Sequence, residues 1–185
     1  MTTAAPHAET LAATALDWLL RVARETPDGL AWTSHPGEHD VNPSLYSGGA
    51  GIVITLLEAH RHFGDDQYAD AAVRAAREIA ASIPTWESSS LYFGLSGMAV
   101  ALRAVADQLD DAASDEATRR ALARVRALFD GERWGPQFDL LGGNAGVALG
   151  ALRAGDVGWP RKRSRRTCGP LKSRRTGSPG RTGQE

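Results

Sequence analysis

Histidine and cysteine, which commonly bind zinc or act in catalysis, are few in this sequence of 185 residues: it has five histidines and one cysteine. His35, His39 and Asp40 are close enough along the chain to share a metal ion. They fall in a loop with Pro36 and Gly37, which would not hold three ligands in place as a helix does. We therefore interpret them as surface polar residues and predict no metal or other cofactor in this chain.

The other candidates for chemistry also have simple interpretations. His60 and His62 fall in the last turn of a predicted helix, where the helix dipole favours a partly charged imidazole. We predict that they help to cap that helix. Cys168 follows a basic run and has no neighbouring histidine. We interpret it as a free thiol in an unstructured segment rather than a zinc ligand.

Three glycine-containing turns are copies of one another, and each runs into an apolar segment. They are residues 44–51 (SLYSGGAG), 90–97 (SLYFGLSG) and 139–146 (DLLGGNAG). Their last glycines are 46 and 49 residues apart, which is typical of a repeated supersecondary unit. We predict that the glycines adopt positive φ at the turns and let crowded helix starts approach closely, and favour this over anion binding by free N–H groups. The structural glycines are Gly48, Gly49, Gly51, Gly94, Gly97, Gly142, Gly143 and Gly146.

Asp139 is the one acid in these turns, at the position that Ser44 and Ser90 occupy in the first two. A charge there needs either solvent or a function. Two alternatives stay open: the carboxyl acts in catalysis, or it caps the turn that follows. Trp134 and Phe138, just upstream, either form a lid or anchor the loop.

The segments around the turns alternate between two kinds of helix. Amphipathic patterns predict one-sided helices over residues 8–24, over residues 67–83 and from an N-cap at Ser114 to Gly131. The segments that follow the turns are apolar nearly all round, which predicts helices buried on all sides. This order predicts an all-α fold with about three inner and outer helix pairs in an incomplete α/α toroid. The stripe of the first helix is Leu11, Ala15, Trp18, Leu19 and Val22.

These turns, together with the link FGDDQY at residues 63–68, resemble the lanthionine synthetase C-like family, which includes the lanthipeptide cyclases. The resemblance covers roughly residues 8–155. It implies a toroid of seven helical hairpins, of which this chain would hold the N-terminal part. It also implies an acid or base role for Asp139 beside a zinc ion.

The chemistry that the resemblance implies is the addition of substrate cysteine thiolates to dehydroamino acids, which closes thioether rings in a peptide. A zinc ion held by two cysteines and a histidine would activate the thiolate. The Trp-Cys-Gly-like and Cys-His-Gly-like motifs that supply those ligands do not occur here. We therefore expect this chain to bind no zinc and to be inactive, and we expect a dehydrated precursor peptide as the partner of a full-length form.

Charge divides the chain into two parts. Residues 161–185 carry nine Lys and Arg and one acid, whereas residues 1–160 carry 12 basic and 21 acidic residues. We predict a folded domain over residues 1–156 and a disordered tail over 157–185, because the tail has almost no apolar side chain to bury. We attribute the tail to a frameshift with a premature stop. The alternative is a basic arm that binds nucleic acid or anionic lipid, and it is disfavoured because residues 161–185 contain no aromatic residue.

Further features favour a cytoplasmic protein without a membrane partner. A single cysteine allows no internal disulfide, the N-terminus lacks the pattern of a signal peptide, and no stretch approaches the roughly 20 apolar residues of a bilayer span. Two other functions stay open: a non-catalytic α/α repeat module that binds a peptide or protein and, ranked last, an α/α-toroid glycoside hydrolase, which needs paired carboxylates. We also expect self-association through inner-helix flanks that lack a neighbour.

Overall fold

The computed structural model describes residues 6–35, 37–38 and 40–156. This part of the chain forms six α-helices and one short antiparallel hairpin. The helices are α1 (Pro6–Arg21), α2 (Gly49–Phe63), α3 (Asp66–Ser82), α4 (Leu95–Leu109), α5 (Ala112–Ala127) and α6 (Asn144–Arg153), and the strands are β1 (Arg24–Glu25) and β2 (Leu30–Ala31). The all-α prediction is confirmed, although the two short strands were not part of it.

The helices pack in two layers. In the inner layer α4 lies between α2 and α6, while α3 and α5 pack on the inner helices and on each other as an outer layer. Consecutive inner and outer helices form the hairpins α2–α3 and α4–α5. The order of inner and outer helices agrees with the alternation in the sequence. Closure of the layers into a toroid stays a prediction.

Helix α4 forms the centre of the core because neighbours cover both of its flanks. Met98, Leu102 and Val105 have no solvent exposure. The prediction of all-round burial is wrong for α2, where Thr55 and Glu58 are exposed, and for α6, where Leu149 and Leu152 are 39% and 58% exposed. No described element beyond α6 covers that flank.

The predicted stripe of α1 is wrong in part, although its member Leu19 does pack against the core. Leu11, Trp18 and Val22 are exposed, whereas Leu16 is buried and Leu20 packs against the core. Trp32 joins this helix to the segment after β2, because its Nε1–H donates to the carbonyl oxygen of Leu19 at 2.8 Å. Two faces of α1 carry apolar side chains, and the face that contains Leu16 and Leu20 is the one that packs on the core.

Side chains cap the N-termini of α3 and α5, whereas α2, α4 and α6 begin after a glycine with no side-chain cap. The N-cap of α5 is Asp111, whose carboxylate accepts from the backbone N–H of Ser114 at 2.8 Å. The prediction of Ser114 as the cap is therefore wrong, and Ser114 lies buried inside the helix. A carboxylate three residues earlier provides the stronger acceptor for the free N–H groups of the first turn. Helix α2 ends at Gly64, which has a left-handed φ of 70°.

Candidate functional site

The three glycine turns lie side by side at the N-termini of α2, α4 and α6, and we call residues 44–51, 90–97 and 139–146 the turn row. The N–H of Tyr46 donates to the carbonyl of Tyr92 at 2.9 Å, and the N–H of Tyr92 donates to the carbonyl of Leu141 at 3.1 Å. These three residues occupy the same position in their copies. The backbone of the row is therefore held in one register across three repeats.

Each turn is also closed by an equivalent bond to the loop before it. In every copy the first residue of the inner helix donates its N–H to a carbonyl seven residues earlier. The pairs are Gly49 and Asn42 at 2.8 Å, Leu95 and Ser88 at 2.8 Å, and Asn144 and Gln137 at 3.0 Å. The sequence repeat is thus a structural repeat at the level of single hydrogen bonds.

Close packing explains six of the eight turn glycines. A Cβ added at any of these six would lie 2.0–2.5 Å from a backbone atom outside its own helix. They are Gly48, Gly51, Gly94, Gly97, Gly143 and Gly146. Positive φ is the wrong explanation, because the positive-φ glycines of the described chain are Gly37, Gly64, Gly131 and Gly155. Gly49 has only ordinary contacts, and Gly142 has no neighbour within 4 Å.

The last glycine of the second and third turns also receives a leucine from the preceding turn. A Cβ at Gly97 would lie 2.8 Å from Cβ of Leu45, and one at Gly146 would lie 3.0 Å from Cβ of Leu91. Leu45 and Leu91 are equivalent residues in successive copies. A leucine-on-glycine contact therefore joins each turn to the next.

The outer surface of the turn row carries exposed apolar side chains. Tyr46 is 66% exposed and its ring lies 5.5 Å from that of Phe93, centroid to centroid, in an edge-on arrangement. Phe93, Leu140 and Leu141 are between 42% and 47% exposed. These residues were not among the predicted site residues, although large apolar side chains inside a turn were a signal for them in the sequence. Tyr46, Phe93 and Leu141 lie along the hydrogen-bonded backbone of the turn row, and we call them the apolar strip.

Asp139 lies at the end of this row with its side chain exposed. Its Oδ1 accepts from the N–H of Gly142 at 2.8 Å and from the N–H of Leu141 at 2.7 Å. These bonds, that from Gly142 first, lower the pKa of Asp139 below its usual value. The carboxylate therefore caps the third turn. It accepts the hydrogen bond of the Leu141 N–H, whereas the equivalent N–H groups of Tyr46 and Tyr92 donate to a carbonyl of the neighbouring turn. An acid or base role stays a prediction.

The two aromatic residues upstream of Asp139 differ in their surroundings. Trp134 anchors the loop, because its Nε1–H donates to the carbonyl of Val125 at 2.7 Å and its ring lies 4.5 Å from that of Phe129. Phe138 is 69% exposed and extends the apolar surface of the turn row.

The described residues contain no group of three His, Cys, Asp or Glu side chains that would hold a metal ion. His60 Nδ1 lies 3.1 Å from the carbonyl oxygen of Asp65, and His62 Nε2 lies 3.6 Å from a carboxylate oxygen of Glu9. His39 and Cys168 lie outside the described residues. None of the helices in the described part is both long and apolar enough to cross a bilayer.

Repeated turn-and-helix units in two layers define a helical repeat protein. Residues 39–166 match the family of lanthionine synthetase C-like proteins, and since this is more than half of the chain, the protein belongs to that family. No curated protein matches the chain.

The donor set of this chain does not fit the zinc ion that the family resemblance implies. A catalytic zinc needs about three protein ligands and one open position. The described residues include no cysteine, and their histidines do not converge with carboxylates on one point. No step of a reaction is therefore assigned to zinc in this chain.

Proposed function

We propose that this lanthionine synthetase C-like chain binds a peptide along its turn row and closes no thioether rings by itself. The observation that carries the proposal is the exposed strip of Tyr46, Phe93 and Leu141 above a hydrogen-bonded backbone. Rigid aromatic side chains bind peptides with a small loss of conformational entropy. The strip supports binding, and the poor fit of the donor set supports the lack of catalysis.

The peptide class follows from the family chemistry. A dehydrated precursor contains dehydroalanine or dehydrobutyrine among apolar residues, together with cysteines that are still free. Such a peptide offers apolar side chains for the strip. We place this interaction in the cytoplasm, in agreement with the single cysteine.

Binding is tested by titrating a fluorescently labelled dehydrated peptide with the full chain. Phe93→Ser should weaken binding about tenfold, because truncating a central aromatic anchor commonly costs that much. Leu11→Ser is the matched control, since Leu11 is 71% exposed on α1 and lies outside the turn row. Equal affinity of Phe93→Ser and wild type would refute binding along the strip.

Catalysis is tested separately by incubating the chain with the same peptide and zinc, then alkylating the cysteines that remain. We expect alkylation at the level of spontaneous cyclisation, and no stoichiometric zinc in the purified chain. Zinc-dependent protection of the cysteines above that level would refute the proposed inactivity. A glycoside hydrolase is not supported, because Asp139 is the only carboxylate in the turn row.

A further inference from the structure

The two ends of the turn row carry complementary halves of the same contact. Leu45 packs on Gly97 and Leu91 packs on Gly146. The equivalent leucine of the third turn, Leu140, is 43% exposed. Gly51, the equivalent glycine of the first turn, has nothing within 4 Å of an added Cβ except the backbone of its own turn. In the described residues, the leucine of the third turn contacts no following glycine turn, and the last glycine of the first turn contacts no leucine of a preceding turn.

The inner helices show the same asymmetry. On α6 the residues Ala145, Ala148, Leu149 and Leu152 are exposed at the spacing of one helix face, and we call them the α6 edge. The repeat register makes them equivalent to the residues of α4 that meet α6. Ser96 of that α4 face lies 2.7 Å, Cβ to Cβ, from the position of a methyl group added at Gly150. The α6 edge is therefore a repeat interface with no described neighbour.

The opposite end of the row offers a receiving surface. Between α1 and α2 lies an apolar groove of about 620 Å³, lined by Ala15 and Trp18 of α1 and by Thr55, Ala59 and Phe63 of α2, among others. Thr55 is exposed and lies one helical turn after Gly51, on the side by which α4 and α6 meet their preceding neighbour. We call this surface the α1–α2 groove.

We propose that a second copy of this chain docks head to tail, with Leu140 and the α6 edge of one copy seated on Gly51 and the α1–α2 groove of the next. The contact continues the leucine-on-glycine packing that already joins the turns within one chain. Such an interface is heterologous, so each added copy again presents one free edge and one free groove. Association then produces a concentration-dependent series of oligomers.

The test uses single variants that block one half of the contact each. Leu152→Glu places a charge on the α6 edge, and Thr55→Glu places one in the α1–α2 groove. Ala123→Glu is the matched control, because Ala123 is exposed on α5 and outside both surfaces. Sedimentation velocity over a range of concentrations gives the size distribution, and circular dichroism shows that each variant is folded.

We expect oligomers from wild type and from Ala123→Glu. Either blocking variant should limit assembly, with the association constant reduced about 100-fold or more by the loss of apolar burial and the introduced charge. A mixture of the two variants should form one-to-one dimers, since each retains the half that the other has lost. A monomeric wild type would overturn the proposal. So would variants that do not complement each other, or aggregates that neither substitution reduces.

Discussion

Replacing Gly97 with alanine should destabilise the fold, because the added methyl group has no space between two turns. The new Cβ would lie 2.0 Å from the carbonyl oxygen of Leu91 and 2.8 Å from Cβ of Leu45. The first obstacle is backbone, which is held by the hydrogen bond from Tyr92 to the third turn. Relief of the clash therefore requires a shift of the turn row itself.

The magnitude follows from two opposing effects. Overpacking that moves backbone costs about 3 kcal/mol, at the upper end of the usual range. Alanine is better than glycine inside a helix by about 1 kcal/mol, which offsets part of the loss. We expect a net decrease of about 2 kcal/mol in the free energy of unfolding, or about 4–8 °C in Tm for a domain of this size.

Urea denaturation followed by far-UV circular dichroism measures this change. Gly142→Ala and Gly49→Ala are the matched controls, because an added Cβ meets no atom within 4 Å at Gly142 and only ordinary contacts from 3.7 Å outwards at Gly49. Both should stay within about 0.5 kcal/mol of wild type. If Gly97→Ala is as stable as these controls, the close approach of the turns is refuted.

Three further substitutions test other parts of the structure. Met98→Ala should cost about 2–5 kcal/mol in urea denaturation by leaving a cavity at the centre of the core, and a loss below about 1 kcal/mol would contradict its burial. Asp139→Ala should remove the carboxylate cap of the third turn. Because folding lowers the pKa of Asp139, the cap stabilises the fold fully above the unfolded pKa of about 3.9, and this stabilisation is lost as the pH falls through the folded pKa. Identical pH dependence of the free energy of unfolding in wild type and variant would exclude a stabilising cap. Trp134→Phe should cost about 1 kcal/mol through the lost bond to Val125, and unchanged thermal stability would argue against an anchoring role.

The inner helices were predictable because two signals in the sequence agree. Glycine turns mark where α2, α4 and α6 begin, and the apolar residues that follow indicate burial. Local rules failed where two acceptable choices lay close together. Asp111 and Ser114 are both good N-caps, and the carboxylate is the one that the structure uses. Local propensity alone does not choose between them.

The apolar strip was not predictable in the same way, because contacts between repeats create it. Tyr46 and Phe93 are 47 positions apart, and only the alignment of the turns brings their rings together. The role of Asp139 depends on the same alignment. Its carboxylate accepts a hydrogen bond from a backbone N–H whose equivalents in the other two turns donate to the neighbouring turn. This difference appears only once the hydrogen bonds across the row are known.

Leu91 and Leu140 show that the sequence of a repeat predicts which residue type lies at an interface position. It does not predict whether another turn packs on that residue. They are the same residue type at equivalent positions, yet Leu91 is 8% exposed and Leu140 is 43% exposed. What differs is the presence of a following glycine turn, which Leu91 meets at Gly146. The burial of Leu140 is therefore decided by what packs on the end of the row. Sedimentation velocity of Leu152→Glu, Thr55→Glu and their mixture tests whether a second copy supplies that packing, since it reports whether the α6 edge of one copy binds the α1–α2 groove of another.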